Sequence, residues 1–277
     1  NKVVAFNNVL FDIEIGKFRE IQPNDYIATT CGYSLDVRNG DTPKVLNPDN
    51  RKYINALLAD IFEDPEIRQY WLTIVSLAIF YNHFQKFYIN TGSGANGKGI
   101  LFGFLRDCLG DYYLQAEQTF LMTKFDASKF NESLANGKGK RFFIVPECSQ
   151  DKDSKVGLQT NFLKSMTGRD PQTVRAIHKG NFTYIPLFTV MCMCNEMPEI
   201  PKLDGGIVRR LSVIPFESEY KENPTEPHHK KINPELADVL KKPELIAEFI
   251  MLLLQIAVEN KDIKSIPQPE KCAVATN

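Results

Sequence analysis

Gly92-Ser93-Gly94-Ala95-Asn96-Gly97-Lys98-Gly99 is the stretch whose reading decides how this chain folds. It follows the pattern G-x-x-x-x-G-K-[ST] up to its last position, where Gly99 replaces the expected hydroxyl residue. In such a loop, backbone N–H groups cradle phosphate oxygens, the lysine reaches the β- and γ-phosphates, and the closing hydroxyl holds Mg²⁺. All eight residues are therefore candidate ligands of a nucleoside triphosphate, and the metal half of the motif is weakened. Before the loop, Lys86-Phe87-Tyr88-Ile89-Asn90 is β-prone. After it, the segment from Ile100 to Leu109 carries apolar residues at helical spacing, with Gly110 as a stop. Strand, glycine-rich loop and helix in that order place phosphate on a helix N-terminus. A flexible turn before an ordinary helix is the alternative, and the Gly-Lys pair at this spacing argues against it.

Composition sets the bounds. The 277 residues allow one large domain or two modest ones, and 43% hydrophobic content is enough for a real core. A formal net charge of −1 gives no global attraction to nucleic acid, so a DNA-binding surface would be local or built by assembly. The six cysteines form no C-x-x-C pair and have no nearby histidine set, which fits a reduced intracellular protein better than a disulfide scaffold or zinc site. Cys192 and Cys194 share one face of an apolar run and read as buried core. No secretory signal or membrane span is evident. The longest apolar stretches, Tyr70–Tyr81 and Phe249–Val258, suit buried helices. The chain starts at Asn1 rather than Met, and we expect it to be part of a longer polypeptide.

Along the chain, residues 1–84 read as a lead-in domain, with short β-like runs and turns to about residue 50 and helices beyond. The Asp64-Pro65 pair signals a helix start there. Residues 85–222 alternate strands and helices, the signature of a parallel α/β sheet, with strands expected at 87–90, 141–146, 187–195 and 211–216. Residues 223–277 form a helical C-terminal segment after a boundary at Pro224-Thr225-Glu226-Pro227.

Three further signals carry chemistry. Phe142-Phe143-Ile144-Val145-Pro146-Glu147 brings a carboxylate to the end of a buried strand about 50 residues after the loop, where it can polarise an attacking water and hold a metal's water shell. The next strand ends in Asn195, an amide able to reach a γ-phosphate or the attacking water; capping a turn is its plainer role. Arg209 and Arg210 precede a fourth strand, where an arginine can reach a neighbouring subunit's phosphate, or the pair can simply flank the strand on the surface.

This order of motifs, with Leu163-Lys164-Ser165-Met166-Thr167-Gly168-Arg169-Asp170-Pro171 and Arg175 between the acid and the amide, resembles a superfamily III helicase of the poxvirus-type primase-helicase group. The resemblance is strong over residues 85–220 and weaker before them. It implies an α/β P-loop NTPase core of AAA+ type, with ATP and Mg²⁺ as cofactors, in a replication protein of a large DNA virus, with African swine fever virus as one source. It also implies a homo-hexameric ring acting on single-stranded or forked DNA, a primase domain in the same full-length polypeptide, no membrane, and a place in the host cytoplasm or nucleus. Lys98 matches the phosphate lysine, Glu147 the second-motif acid that meets Mg²⁺ through water, Asn195 the sensor, and Arg209 or Arg210 the trans finger. Lys164 to Arg175 leads into a channel-lining β-hairpin whose tip falls near His178-Lys179-Gly180-Asn181, making Lys164, Arg175, His178 and Lys179 candidate DNA contacts. Two departures thin the metal's protein ligands: Gly99 for Ser or Thr, and Cys148 where some relatives carry a second acid. Rival readings are a nucleotide-binding ring scaffold with weak hydrolysis and a P-loop kinase of a small metabolite.

Overall fold

The computed structural model describes residues 2–80, 84–118, 120–122, 131–148, 157–176, 180–201 and 203–276. The lead-in opens with β1 (Val3–Ala5), β2 (Leu10–Asp12) and β3 (Lys17–Arg19), then α1 (Pro48–Ile61) and α2 (Pro65–Ala78). Next come β4 (Phe87–Thr91), α3 (Lys98–Leu109), β5 (Tyr113–Gln115), α4 (Glu132–Ala135), β6 (Phe142–Val145) and α5 (Thr160–Gly168). They are followed by β7 (Gln172–Ala176), β8 (Gly180–Tyr184), β9 (Thr189–Cys194), α6 (Gly205–Val208) and β10 (Leu211–Pro215). The chain ends through β11 (Glu219–Lys221), β12 (His229–Lys231), α7 (Leu236–Val239), α8 (Pro243–Asn260) and α9 (Glu270–Thr276).

The chain divides into two compact units, both discontinuous in sequence: residues 1–82, 94–112 and 216–269, and residues 83–93, 113–215 and 270–277. In the first, β1–β2–β3 form an antiparallel sheet, so the lead-in is helical only from Pro48 onward. Helices α1 and α2 start where sequence chemistry dictates. The Asn47 and Asp64 side chains accept the first free N–H groups, with proline at the next position, where its missing N–H costs nothing. Helix α8 is apolar and packs against α1, α2 and α3. Of its three acidic residues Glu248 alone is fully buried, and it accepts from Leu46 N–H (2.9 Å) and Asn47 N–H (2.8 Å) while pairing with Arg51 (2.7 Å). Pro224 to Pro227, expected as a boundary, lies instead in the connection between β11 and β12, which pair in parallel.

The second unit is built on a five-stranded, all-parallel sheet in the order β10-β4-β9-β6-β5. Its strands read as continuous apolar runs because both faces are covered. Val213, Ile89, Val190, Cys192 and Phe143 are all buried, so the Cys192-x-Cys194 pair is core, as its spacing predicts. Helix α9 packs on β10, where Val213 N–H donates to Thr276 Oγ1 at 3.0 Å. Strands β7 and β8 form the expected antiparallel hairpin, with Arg175 opposite Asn181. His178 and Lys179, at its expected tip, lie outside the described residues. Among the described residues, no helix is long and apolar enough to cross a membrane.

Candidate nucleotide site

The segment joining β4 to α3 uses backbone geometry that few residues tolerate. Gly94 (φ 96°), Ala95 (φ 46°) and Gly97 (φ 81°) all adopt left-handed conformations. Such alternation turns successive N–H groups toward one concavity suited to an anion. Ala95 pays of order 1–2 kcal/mol for a conformation its Cβ disfavours. Backbone strain of this kind clusters at functional sites, and Glu147 (φ 51°) also carries it. Gly97 is further required by space, since a Cβ there would meet Ile61 Cγ1 at 2.9 Å.

In contrast to α1, α2 and α6, helix α3 has no side-chain cap on its first N–H groups. Gly97 precedes it and offers no side chain, leaving the helix start open to an anion. Asn96 is buried; its Oδ1 accepts from Lys98 N–H at 3.4 Å, and its Nδ2 has no hydrogen-bond partner among the described residues. Lys98 is 6% exposed, with Nζ 6.0 Å from the centre of the Phe216 ring. The outer side of the loop is pinned by β11, whose Tyr220 N–H donates to Ala95 O at 2.6 Å while its ring approaches Gly97. Nothing in the sequence marked this contact, because β11 lies over 120 residues away and carries no motif. Gly99 is exposed, and a Cβ there would meet nothing within 4 Å.

The parallel sheet sets out the other candidates. Thr91, which leads into the loop, is level with Cys194, and Val145 is level with Cys192. Asn195 and Glu147 therefore emerge at the same carboxyl edge from which the loop departs, where parallel α/β sheets bind ligands. Strand β9 lies between β4 and β6, so the amide strand is interposed between the loop strand and the acid strand. Asn90 Nδ2 donates to Cys192 O at 3.1 Å and fastens β4 to β9. Both Glu147 and Asn195 are exposed, and Gln118 Nε2 donates to Glu147 Oε2 at 3.3 Å.

Arg209 and Arg210 stand elsewhere. They precede β10, whose first residue Leu211 is level with Phe87 at the start of β4, so they sit at the amino edge of the sheet. The five residues of β10 separate the two edges by roughly 16 Å at 3.3 Å per residue. Arg210 is anchored, with Nη1 donating to Gly206 O at 2.8 Å, and burial pulls its pKa down, helped by the Arg209 charge. Arg209 is exposed, and its guanidinium makes no hydrogen bond or ion pair among the described residues. Lys164 on α5 pairs with Asp204 (2.5 Å), and Arg175 is exposed on β7.

Among the described residues, one cluster of metal-ligating types appears, on β11 and at the start of β12: Glu219, His228 and His229. His229 Nδ1 accepts from Thr225 N–H (3.2 Å) and Glu226 N–H (3.0 Å), which leaves the ring proton on Nε2, facing Glu219 at 3.3 Å. A metal ligand would need the opposite tautomer, with Nδ1 donating. The group is a clamp between β11 and β12 rather than a metal centre.

Residues 90–210 match a family of unknown function, DUF5906. A protein of Acanthamoeba polyphaga mimivirus named "Putative helicase" is 36% identical over 225 residues, which cover 79% of this chain and 22% of that protein. The chain is a relative of proteins named as helicases and primases in large DNA viruses. A "Putative primase" of African swine fever virus is 27% identical over 210 residues, 74% of this chain and 20% of that protein. The chain thus spans about a fifth of the length of these relatives. In fold it is similar to the C-terminal region of NrS-1 (TM-score 0.62, 15% identity, 99% of this chain and 71% of that one).

Proposed function

We propose that this chain is the ATP-hydrolysing motor segment of a viral DNA-replication helicase, of superfamily III type and AAA+ architecture. It works as a homo-hexameric ring on single-stranded or forked DNA, inside the host cell, with a primase domain in the same polypeptide. The observation that carries this reading is the uncapped start of α3 behind a loop of three left-handed residues, continuous with a strand whose sheet ends in Glu147 and Asn195.

The loop N–H groups and Lys98 bind the β- and γ-phosphates, with the unpartnered Asn96 Nδ2 a further donor. Glu147 orients the attacking water, and Asn195 reads the γ-phosphate. The donor set fits Mg²⁺ held largely by water: an exposed carboxylate at the sheet edge and no hydroxyl at position 99. When bound, the ion neutralises charge on the phosphates. Two facts favour a site completed by a second copy. Arg209 is unengaged at the opposite sheet edge from the loop, and Leu203 (64% exposed) and Val208 (50%) form an apolar flank beside it. Arg209, rather than the anchored Arg210, is then the residue that stabilises transition-state charge in the neighbouring subunit. The β7–β8 hairpin, with Arg175 and its tip residues His178 and Lys179, is the DNA-contacting element.

The scaffold alternative draws on Gly99, which offers the metal no ligand. Steady-state ATP hydrolysis with and without oligo-dT separates the two. The motor reading expects turnover that DNA stimulates and Lys98→Ala lowers by about 10²-fold or more; ATP binding without turnover would leave the scaffold.

A further inference from the structure

The sequence makes Lys164 a candidate DNA contact, yet its ammonium is engaged. Nζ pairs with Asp204 Oδ2 at 2.5 Å, and this pairing, followed by the Ile207 N–H bond, holds the Asp204 carboxyl below the usual carboxylate range. Asp204 Oδ1 caps α6 by accepting from Gly206 N–H (3.0 Å) and Ile207 N–H (3.1 Å). The lysine stem lies so close that a Cβ on Gly206 would meet Lys164 Cε at 3.3 Å and Asp204 Oδ1 at 3.1 Å. Gly206 O in turn accepts from Arg210 Nη1. A four-residue helix has too little hydrogen bonding of its own to hold a direction, so what fixes α6 is this side-chain lattice. Arg209 follows α6 directly.

The next residue on α5 faces a second task. Ser165 Oγ accepts from Gln172 Nε2 at 2.6 Å, and Gln172 opens β7, the first strand of the hairpin. Neighbouring residues of one helix thus hold the arginine turn and the base of the hairpin.

We propose that Lys164 is a positioning residue for Arg209, acting through Asp204, and that α5 ties the arginine turn to the β7–β8 hairpin. This rests on the reading of Arg209 as the residue that completes a neighbour's site. Lys164 contributes no DNA contact; its charge is spent on aiming α6.

The test is a cycle of Lys164→Met, Asp204→Asn and the double variant, with Asn chosen because it still caps a helix. Each single variant is expected to lower kcat by about 10- to 100-fold through misplacement of Arg209, with KM for ATP unchanged. The double variant is expected to be no worse than either single. Affinity for oligo-dT and its salt dependence stay at wild-type values. Hydrogen exchange at residues 206–209 accelerates in Lys164→Met, and this readout needs no activity. Additive losses, or weaker oligo-dT binding with a shallower salt slope, would make Lys164 a DNA ligand and overturn the proposal. Faster exchange at 206–209 in an enzyme whose wild type hydrolyses no ATP would uphold the tie and discard the motor reading instead. Unchanged exchange discards the tie itself.

Discussion

The loop at 92–99 and the turn at 204–210 are both short polar connections carrying cationic residues, but they are held in opposite ways. The loop takes its shape from its own backbone, with left-handed residues at 94, 95 and 97, an uncapped helix behind them and a lysine in the first turn, and Tyr220 N–H ties it to a distant strand. The turn is fixed by side chains, from outside by Lys164 through Asp204 and from within by the Arg210 bond to Gly206. Function written into backbone conformation demands particular residues at fixed spacing. Function written into long-range side-chain ties does not.

If that contrast is right, substitutions in the two regions fail differently. Arg209→Ala carries the largest expected effect, on the order of 10³-fold in kcat with ATP binding intact, since the role we propose for it is confined to the transition state. Lys98→Ala follows, at about 10²- to 10³-fold in turnover, with weaker ATP binding as well. Gly97→Ala is next. Its Cβ is placed 2.9 Å from Ile61 Cγ1 and its φ is positive, so the loop itself distorts. The stabilisation that ATP gives in thermal melts is expected to shrink or vanish. A retained ATP-induced shift would show that the loop does not depend on its backbone geometry.

Gly99→Ser tests the loop's missing hydroxyl. The new side chain meets no obstruction, so ATP affinity is expected to hold and Mg²⁺-dependent turnover to rise modestly. Unchanged turnover would mean that water already serves the metal. The smallest effect belongs to a clip in the lead-in sheet, where Arg19 and Asp25 pair at 2.7 Å. The guanidinium, then the Gln22 N–H, hold the Asp25 carboxyl down at about 2 against an ordinary 3.8. A depressed carboxyl contributes stability that is present above pH 3.8 and lost as pH falls toward 2. Asp25→Asn is therefore expected to cost less than about 1 kcal/mol at pH 7 and to flatten acid unfolding in that window.

Much of the fold was legible for physical reasons. Buried parallel strands read as apolar runs, so the strands around residues 87, 142, 189 and 211 appear in the sequence, whereas three-residue β5 is too short to register. Asn47, Asp64 and the following prolines announce α1 and α2. The placement of the 92–99 loop, Glu147, Asn195 and the hairpin was legible because chain order along a parallel sheet carries them to one edge or one turn. What stayed hidden depends on contacts between distant residues: Tyr220 holding Ala95, Asn90 joining β4 to β9, and Lys164 reaching Asp204. The sequence also could not tell Arg209 from Arg210; the hydrogen bond from Arg210 to Gly206 is what leads us to propose Arg209.

The central claim is that the loop of one copy and Arg209 of another form a single site. Its most direct test mixes two inactive variants, Lys98→Ala and Arg209→Ala, in equal amounts and measures ATP hydrolysis. Random assortment in a ring pairs an intact Lys98 with an intact Arg209 at about one interface in four. The account predicts that turnover returns on mixing to a corresponding fraction of wild type. A mixture that remains as inactive as its components, under conditions where the subunits are shown to exchange, would contradict it.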